Sequence, residues 1–165
     1  MSRLAHLTTE ALEPFVRESN RIEGILRDPH GHEIGAHRNF EPTIPGLRAF
    51  TQMLDSRIEL REFPRMDVRV GNHIPPRGGP QVLTALDALL APVARRYNDP
   101  DDITDPYEVH QAYEELHPFT DGNGRSGRAL WLWMMFKRRP EGEAALKRGF
   151  LHSWYYASLA AFHGD

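Results

Sequence analysis

Apolar side chains recur along most of the chain at the three- and four-residue spacing of amphipathic helices. The first such segment, residues 8–27, can be capped by Thr8 or Thr9, and Pro14 either kinks it or begins a second helix. Its apolar positions are Leu12, Phe15, Val16, Ile22, Ile25 and Leu26. The same spacing predicts further helices over about 46–59, 81–97, 106–117, 124–138, 141–147 and 149–162. The pattern therefore predicts an all-α fold.

Two stretches interrupt the helical pattern. Residues 28–46 contain several prolines and glycines, beginning with Asp28-Pro29, and this composition is typical of a loop. Residues 66–74 alternate in part between apolar and polar side chains around Gly71-Asn72, a pair that favours tight turns, so they predict a short β-hairpin. The prolines and glycines of residues 75–80 exclude regular structure directly after it. The whole pattern predicts a helical bundle with one small hairpin.

Composition places the chain among ordinary globular proteins of one domain, with 165 residues, 40% of them hydrophobic and 26% charged. A net charge of −3 gives no support for a protein that coats nucleic acid. The absence of cysteine excludes disulfide bridges and thiolate metal sites. The sequence has neither a signal-peptide core nor an apolar run of about 20 residues that would span a bilayer. We therefore expect a cytoplasmic protein that binds neither nucleic acid nor membrane.

The strongest chemical pattern is the segment 117–128, His-Pro-Phe-Thr-Asp-Gly-Asn-Gly-Arg-Ser-Gly-Arg, between the two central helices. A Gly-Asn-Gly turn before a helix directs backbone N–H groups and the positive end of the helix dipole at one spot, which binds phosphate. Arg125 and Arg128 in the first turn oppose that dipole unless an anion compensates them. Residues 122–127 also match the pattern GxGxxG, but a predicted helix precedes them, which disfavours a dinucleotide-binding fold.

The same segment carries a base and a metal ligand. His117 stands at the predicted end of a helix, and a histidine near neutral pKa can accept a proton from an attacking hydroxyl. Asp121 is the only carboxylate in the loop, and a carboxylate beside a polyphosphate is a natural Mg²⁺ ligand. Phe119 is apolar within a polar loop, so we expect it to anchor the loop in the core. Together these residues predict nucleotide chemistry.

Residues 117–128 resemble the Fic-family signature, His-x-Phe-x-(Asp/Glu)-Gly-Asn-Gly-Arg-x-x-Arg, with every defined position filled, and the resemblance extends over roughly residues 15–163. It implies a protein adenylyltransferase that transfers AMP from Mg-ATP to a Ser, Thr or Tyr hydroxyl of a target protein and releases pyrophosphate. His117 would be the base and Asp121 the Mg²⁺ ligand. The phosphates of ATP would be held by Gly122, Asn123, Gly124, Arg125 and Arg128, the last at the γ-phosphate.

A second resemblance concerns the N-terminal helix. Ser19-Asn20-Arg21-Ile22-Glu23-Gly24 is similar to the family's inhibitory motif, (Ser/Thr)-x-x-x-Glu-(Gly/Asn). It implies that Ser19, Glu23 and Gly24 form an inhibitory element in which Glu23 pairs with Arg128 and takes the place of the γ-phosphate. Residues 1–40 would then be an inhibitory helix and loop, packed in one compact domain on a catalytic core that spans 41–165.

A third resemblance concerns the predicted hairpin. Residues 70–76 look like the family's flap, whose edge takes the target segment as an added strand. The residues of this target-docking flap would be Val70, Gly71, Asn72, His73 and Ile74. The run from Trp154 to Leu159 resembles the aromatic helix that closes the family's domain, and we expect it to pack in the core.

Several alternatives stay open at this point. A relative of this kind can use another nucleotide donor, remove AMP with the help of the glutamate, or act as a non-catalytic binding module of the toxin–antitoxin type. The loop histidines His30, His32 and His37 offer metal ligands, but a metal site needs a further ligand and defined geometry. A DNA-binding regulator lacks support from any basic patch. The sequence does not determine whether the chain forms a homo-oligomer.

Overall fold

The computed structural model describes residues 2–95, 104–148, 150–152 and 154. Within these residues the chain is mainly helical and contains two isolated β-bridges but no β-strand, which confirms the predicted all-α class. The helices are α1 (Thr9–Ile22), α2 (Gly31–Arg38), α3 (Ile44–Leu54), α4 (Pro80–Arg95), α5 (Pro106–Leu116), α6 (Asn123–Met135) and α7 (Arg139–Arg148).

Helix α1 begins at a side-chain cap, because Thr8 Oγ1 accepts a hydrogen bond from the Ala11 N–H at 3.1 Å. The helix runs through Pro14 without a break. One face of α1 packs in the core and buries Leu12, Phe15, Val16, Ser19 and Asn20. The N-terminal helix is thus part of the hydrophobic core and not an addition to its surface.

The end of α1 differs from the prediction, since the helix stops at Ile22 instead of continuing to residue 27. Gly24 adopts a left-handed conformation with φ of 77°, which ends the helical hydrogen-bond pattern. Ile22 and Leu26, which the pattern placed on the apolar face, are 45% and 75% exposed. The turn after Ile22 therefore presents Glu23 beyond the last helical residue.

The predicted loop over 28–46 is wrong in part, because it contains α2. Glu33 accounts for this helix: its Oε1 accepts hydrogen bonds from His30 N–H and Arg27 Nη1, both at 2.7 Å. Its Oε2 accepts a hydrogen bond from Asn20 Nδ2 at 3.1 Å. These contacts tie the first turn of α2 to the end of α1, so the helix is stabilised by tertiary partners and not by apolar spacing.

Helices α3 and α4 follow the pattern with shifted ends. α3 is capped by Thr43, whose Oγ1 accepts a hydrogen bond from the Gly46 N–H at 3.0 Å, and it ends at Leu54 and not near residue 59. α4 begins at Pro80 and includes Pro92 within its length. The residues of α4 that face the core are Val82, Leu86, Leu90 and Val93.

Helices α5 and α6 form the central pair, and the loop between them carries the segment 117–128. Asp105 caps α5 by accepting a hydrogen bond from the Tyr107 N–H at 2.9 Å, as its position before Pro106 predicted. α6 packs against α5, α1, α3 and α7, and nearly all of its side chains are buried. The segment with the chemical pattern is therefore held between two well-packed helices.

The predicted hairpin over 66–74 is reduced to one antiparallel bridge between Val70 and His73, closed by N–H to carbonyl bonds of 3.0 and 2.9 Å. Gly71, with φ of 56°, occupies the turn. A second antiparallel bridge joins Leu60 to Phe119. No longer ladder forms in the described residues, so this part of the chain is an irregular arm and not a β-hairpin.

One hydrophobic cluster runs from Leu4 to Phe150 and joins the N-terminal residues to α6. Trp131 is fully buried in it, with Phe150 and Trp154 packed edge-on at 5.4 and 4.9 Å. Most of the predicted last helix, 149–162, lies outside the described residues, and 150–152 and 154 are helical. In the described ranges, every helix is too short or too polar to cross a membrane.

Candidate active site

His117 is placed by the end of α5. It is the C-cap residue and adopts a left-handed backbone conformation, with φ of 50° and ψ of 62°, which is uncommon for a residue with a side chain. Its ring Nδ1 lies 3.3 Å from the carbonyl oxygen of Glu114. Because a carbonyl oxygen only accepts hydrogen bonds, Nδ1 carries the proton and Nε2 is the basic nitrogen of the neutral ring.

The loop after His117 is fixed by Asn123. The side-chain oxygen of Asn123 accepts a hydrogen bond from the Phe119 N–H, and its amide nitrogen donates to the Phe119 carbonyl, both at 2.8 Å. Phe119 itself is buried, as its position in the polar loop predicted. Thr120 N–H donates to the Glu59 carbonyl at 2.9 Å. The Asn123 side chain thus shapes the loop, and a phosphate would meet this residue through its backbone N–H.

The first turn of α6 has the features of an anion site. Gly122 precedes it with φ of 73°, and the N–H groups of Asn123, Gly124 and Arg125 belong to the first turn, where a helix offers no carbonyl partner. Arg125 Nε is buried and makes no hydrogen bond within the described residues. A buried donor without a partner beside a helix N-terminus fits a ligand oxygen.

Arg128, in the first turns of α6, contacts two residues of the predicted inhibitory motif, Ser19 and Glu23. Its Nε donates to Ser19 Oγ at 2.8 Å, its Nη2 donates to the Ser19 carbonyl at 3.0 Å, and Glu23 Oε1 lies 3.3 Å from Nη2. The structure therefore brings together Ser19, Glu23 and Arg128, which the inhibitory motif and the signature had linked. Gly24, the last residue of the motif, supplies the positive-φ turn beside them.

Gly124 shows where the Glu23 carboxylate lies. A Cβ atom built on Gly124 would approach Glu23 Oε1 to 2.6 Å and Arg128 Nη1 to 3.0 Å. The carboxylate is thus in contact with the backbone of the first turn of α6. An anionic side chain therefore lies beside the N-terminus of this helix.

A cleft of about 700 Å³ opens over these residues. Its volume is sufficient for a nucleotide, since ligand pockets commonly measure roughly 300–1,000 Å³. Glu23, Arg125 and Arg128 line one side, and His117 and Asp121 line it as well. The residues with predicted roles therefore converge on one concave surface.

The side chains of Asp121 and His117 lie in different environments. Asp121 is exposed, and its Oδ1 accepts a hydrogen bond from the Gly122 N–H at 2.7 Å. Burial lowers the pKa of His117, and the nearby charge of Arg61 adds to that effect, against the hydrogen bond to the Glu114 carbonyl. A neutral imidazole near pH 7 is the form that can accept a proton.

Glu114 is a cleft residue that the sequence analysis did not single out. Burial raises the pKa of its carboxyl to about 7, and the positive charge of Arg128 opposes this. Its Oε1 is buried, makes no hydrogen bond in the described part of the chain and lies 3.8 Å from His110 Nε2. The sequence could have indicated Glu114, because it lies three residues before His117 at the end of α5, and residues at that spacing share a helix face.

The predicted flap residues reach the cleft through Val70, which lines it. His73 Nε2 is 2.9 Å from the carbonyl oxygen of Glu115 at the end of α5. Ile74 is 72% exposed. Gly71 and Asn72 form the exposed turn between Val70 and His73. This surface is accessible to a second chain.

The predicted histidine-rich loop is helical and divides into two environments. His30, His32 and Glu33 have possible ligand atoms within 4.8 Å of one another. Both oxygens of Glu33 already accept hydrogen bonds, one of them from Arg27, which disfavours a cation there. His37 is buried, and burial lowers its pKa to about 4. The three histidines therefore do not form one site.

Comparison with known proteins identifies the family of the chain. Residues 21–135, more than half of the chain, match the family model described as Fic/DOC family. This range includes the segment 117–128, the arm with Val70 and His73, and Glu23. None of the curated proteins compared with the chain matches it.

Proposed function

Since the chain belongs to the Fic/DOC family, we propose that it is a protein adenylyltransferase that transfers AMP from Mg-ATP to a Ser, Thr or Tyr hydroxyl of a target protein. The observation that carries the proposal is the arrangement at the N-terminus of α6. A carboxylate lies against Gly124 and Arg128, the donor Arg125 Nε lacks a partner, and His117 lines the same cleft. These are the parts needed to hold a polyphosphate beside a base.

The transfer would begin with ATP bound along the first turn of α6. Its phosphates would accept hydrogen bonds from the backbone N–H groups of Gly124 and Arg125 and from the Arg125 and Arg128 guanidinium groups. The acceptor oxygen forms a bond to the α-phosphorus, and the bond from that phosphorus to the α–β bridging oxygen breaks. Pyrophosphate leaves, and the hydroxyl proton passes to His117 Nε2. The lowered pKa of His117 keeps Nε2 free to accept it.

The residues present also fit the divalent ion that accompanies ATP. Mg²⁺ binds oxygen ligands and usually pairs one or two carboxylates with phosphate oxygens. Asp121 is an exposed carboxylate in the loop before α6, and it lines the same cleft as Arg125. When bound there, the ion would neutralise phosphate charge as pyrophosphate forms.

The same arrangement supports autoinhibition by Glu23. Its carboxylate pairs with Arg128 at 3.3 Å and lies over Gly124, where a phosphate of ATP would have to bind. An Arg–carboxylate pair and an Arg–phosphate pair have the same donors, so they exclude each other. If the closed arrangement is favoured by about 2.8 kcal/mol, only about 1% of the molecules bind ATP productively. Basal activity should then be low.

The exposed arm fits a protein acceptor. A bridge of two hydrogen bonds joins Val70 to His73, and we infer that an extended segment of the target pairs with the exposed backbone beside this bridge. Val70 and Ile74 add exposed apolar surface. We assign the acceptor to this edge of the cleft.

Incubation of the purified protein with ATP and Mg²⁺, followed by intact-mass spectrometry, tests the proposal. Glu23→Gly should raise self-modification by the mass of an AMP group at least about tenfold, which corresponds to ~1.4 kcal/mol. His117→Ala in that background should abolish it. Arg21→Gly is the control, because it places a glycine in the last turn of α1, two residues before Glu23, and leaves the Glu23 carboxylate in place.

The same experiment separates the alternatives. An adduct of another nucleotide mass, formed in a mixture of ATP, GTP, CTP and UTP, would replace AMP as the transferred group. Loss of AMP from protein that was modified beforehand, dependent on Glu23, would indicate removal of the group. No adduct with any nucleotide in Glu23→Gly, together with unchanged ATP affinity in that variant, would overturn both the transferase and the inhibition and favour a non-catalytic module.

A further inference from the structure

Arg61 has an exposed fraction of 0%, the lowest of the buried charged side chains in the described residues. In the sequence it follows Leu60, which forms the second β-bridge, and precedes the irregular arm. It is not part of the segment 117–128. Within the described part of the chain its guanidinium pairs with no carboxylate and donates only to backbone carbonyl groups. Burial lowers its pKa, and the negative charge of Asp67 opposes this effect without forming an ion pair with it.

The acceptors of Arg61 belong to two functional elements. Its Nε donates to the His117 carbonyl at 2.7 Å, and its Nη2 donates to the Leu116 carbonyl at 2.9 Å. Its Nη1 donates to the carbonyl groups of Met66 and Pro76 at 3.1 and 2.8 Å. The Arg61 guanidinium therefore binds the backbone of the proposed base, His117, and both ends of the arm, Met66 and Pro76. The arm carries the proposed acceptor edge.

The backbone of Arg61 strengthens this connection. Its N–H donates to the Pro118 carbonyl at 2.8 Å, and its own carbonyl accepts from the Gly79 N–H at 3.0 Å. The residue after His117 and the residue before α4 are thus tied to the same point. Arg61 thus contacts the end of α5, the loop after His117, both ends of the arm and the residue before α4, in addition to the direct contact between His73 and Glu115.

Stability alone does not explain a charge at this position. Burying an unpaired guanidinium costs hydration free energy, and an apolar side chain of similar volume is often the more stable choice in a core. An apolar side chain, however, offers no donors to the four carbonyl groups. A planar fork with donors in fixed directions suits acceptors that must keep a defined mutual geometry.

We propose that Arg61 is a positioning residue that fixes the His117 imidazole relative to the acceptor edge of the arm, and so directs the AMP group to a protein hydroxyl instead of to water. The inference rests on the proposed function. It follows that Arg61 governs the fate of the AMP group and not the binding of ATP, because none of its contacts reaches the first turn of α6.

Arg61→Lys in the Glu23→Gly background tests this role. Lysine keeps the positive charge but has a single ammonium group on a flexible stem, so it cannot hold four carbonyl groups in one plane. The matched control is Arg48→Lys, because Arg48 is an exposed arginine on α3 that pairs with Glu62 at the surface. Radiolabelled ATP allows protein-bound AMP and free AMP to be measured in the same reaction.

Arg61→Lys should lower protein-bound AMP at least about tenfold while the KM for ATP changes less than about twofold, and free AMP from hydrolysis should rise as a share of ATP consumed. Arg48→Lys should match the Glu23→Gly parent in all three measurements. A parallel loss of both products, or a rise in the KM for ATP equal to the loss of transfer, would show that Arg61 is merely structural.

Amide hydrogen exchange provides a measurement that does not depend on activity. In Arg61→Lys the amides of Val70, His73 and Gly79 should exchange at least about tenfold faster, whereas those in α6 should keep their wild-type rates. Equal acceleration in α6 and the arm, or no acceleration in the arm, would overturn the positioning role. If the Glu23→Gly parent transfers no AMP at all, the proposed function fails, and this exchange pattern still decides whether Arg61 couples the arm to His117.

Discussion

At the level of single residues, Gly124 marks the point where the proposed inhibition and the proposed binding of ATP would compete. Its missing side chain leaves room for one anionic group between the backbone of α6 and the Arg128 guanidinium. In the structure that group is the Glu23 carboxylate, and in the proposed reaction it is a phosphate. Because the two share a position, a change at Gly124 should affect both.

Gly124→Ala in the Glu23→Gly background should therefore weaken ATP binding at least about tenfold. The added Cβ would lie 3.0 Å from Arg128 Nη1, where a phosphate oxygen would need to pack. The helix itself should tolerate alanine, which is favoured over glycine by roughly 0.5–1 kcal/mol in a helix interior. Isothermal titration calorimetry with ATP and Mg²⁺ measures the loss, and urea unfolding measures the stability.

Gly35→Ala is the matched control, since a Cβ at this α2 glycine would meet no atom within 4 Å. It should gain similar stability and leave ATP binding unchanged. Equal ATP affinity in Gly124→Ala and Gly35→Ala would contradict the assignment of the anion position.

His37 should make the stability of the protein depend on pH. Burial lowers its pKa to about 4, whereas the unfolded chain has a value near 6.5. As pH falls from about 6.5 to 4, the unfolded chain takes up a proton that the folded protein excludes, so the free energy of unfolding decreases. Between about pH 7.5 and 5 the loss from this residue should be on the order of 2 kcal/mol.

His37→Phe should remove this loss, because phenylalanine keeps the edge-on contacts with Phe15 and Phe50 but does not titrate. Urea unfolding of both proteins at the two pH values gives the comparison. Glu114 contributes with the opposite sign, since its raised pKa of about 7 favours the folded state as pH falls, but this contribution is common to both proteins and cancels. Equal decreases in wild type and variant would refute the prediction.

At the level of secondary-structure elements, the end of α1 is held by α2. Glu33 joins Asn20, the neighbour of Ser19, to Arg27 in the segment after Glu23. The turn that presents Glu23 is thus anchored on both sides. The strength of inhibition should depend on this anchor as well as on the pairing of Glu23 with Arg128.

Glu33→Gln should weaken the anchor and raise self-modification several-fold, but less than Glu23→Gly does. Glutamine can keep some of the hydrogen bonds and loses the charge that attracts Arg27, which should cost about 1–3 kcal/mol of stability. Intact-mass spectrometry with ATP and Mg²⁺ measures the activity. Glu10→Gln, an exposed carboxylate on the first turn of α1, is the control. Activation equal to that of Glu23→Gly would mean that Glu33 acts by another route.

The elements also show what the sequence could predict. Helices α1 and α3 to α7 were predictable because each has a local sequence signal, either apolar residues at helical spacing or a capping residue. Helix α2 was not, since its stability comes from the contacts of Glu33 with residues outside the helix. The predicted hairpin failed for a related reason: the arm is held by Arg61 at its ends, and only one bridge forms between its halves.

The residues of the candidate site also fall into a predictable and an unpredictable group. Residues 117–128 could be recognised in the sequence because they form one contiguous motif. The approach of Glu23 to Arg128 was predictable only through a motif, as the two residues are far apart in the chain. Arg61 resembles any surface arginine in the sequence, because its burial arises from the meeting of three segments. Glu114 had a local signal, its spacing from His117, but its burial depends on packing against Gly127.

At the level of the whole molecule, ligand binding should be visible as thermal stabilisation. A ligand at about 100 times its Kd stabilises a protein by ~2.7 kcal/mol, which for a chain of this size raises Tm by about 5–10 °C. Glu23→Gly should show this rise with Mg-ATP. At the same ATP concentration the wild type should gain only about 1–2 °C if the proposed pairing of Glu23 leaves about 1% of its molecules open. Differential scanning calorimetry measures both, with Mg²⁺ alone as the control, and equal rises would rule out a Glu23-dependent barrier.

The burial of α1 has a consequence for the genetics of this protein. Leu12, Phe15 and Val16 contribute to the same core as Trp131, so we expect the helix that precedes the proposed inhibitory residue Glu23 to be needed for folding as well. Alleles that delete the N-terminal helix should yield insoluble product and not a hyperactive enzyme. A selection for gain-of-function alleles should therefore return missense changes clustered at 19–24 and at the contacts of Glu33, and no truncations.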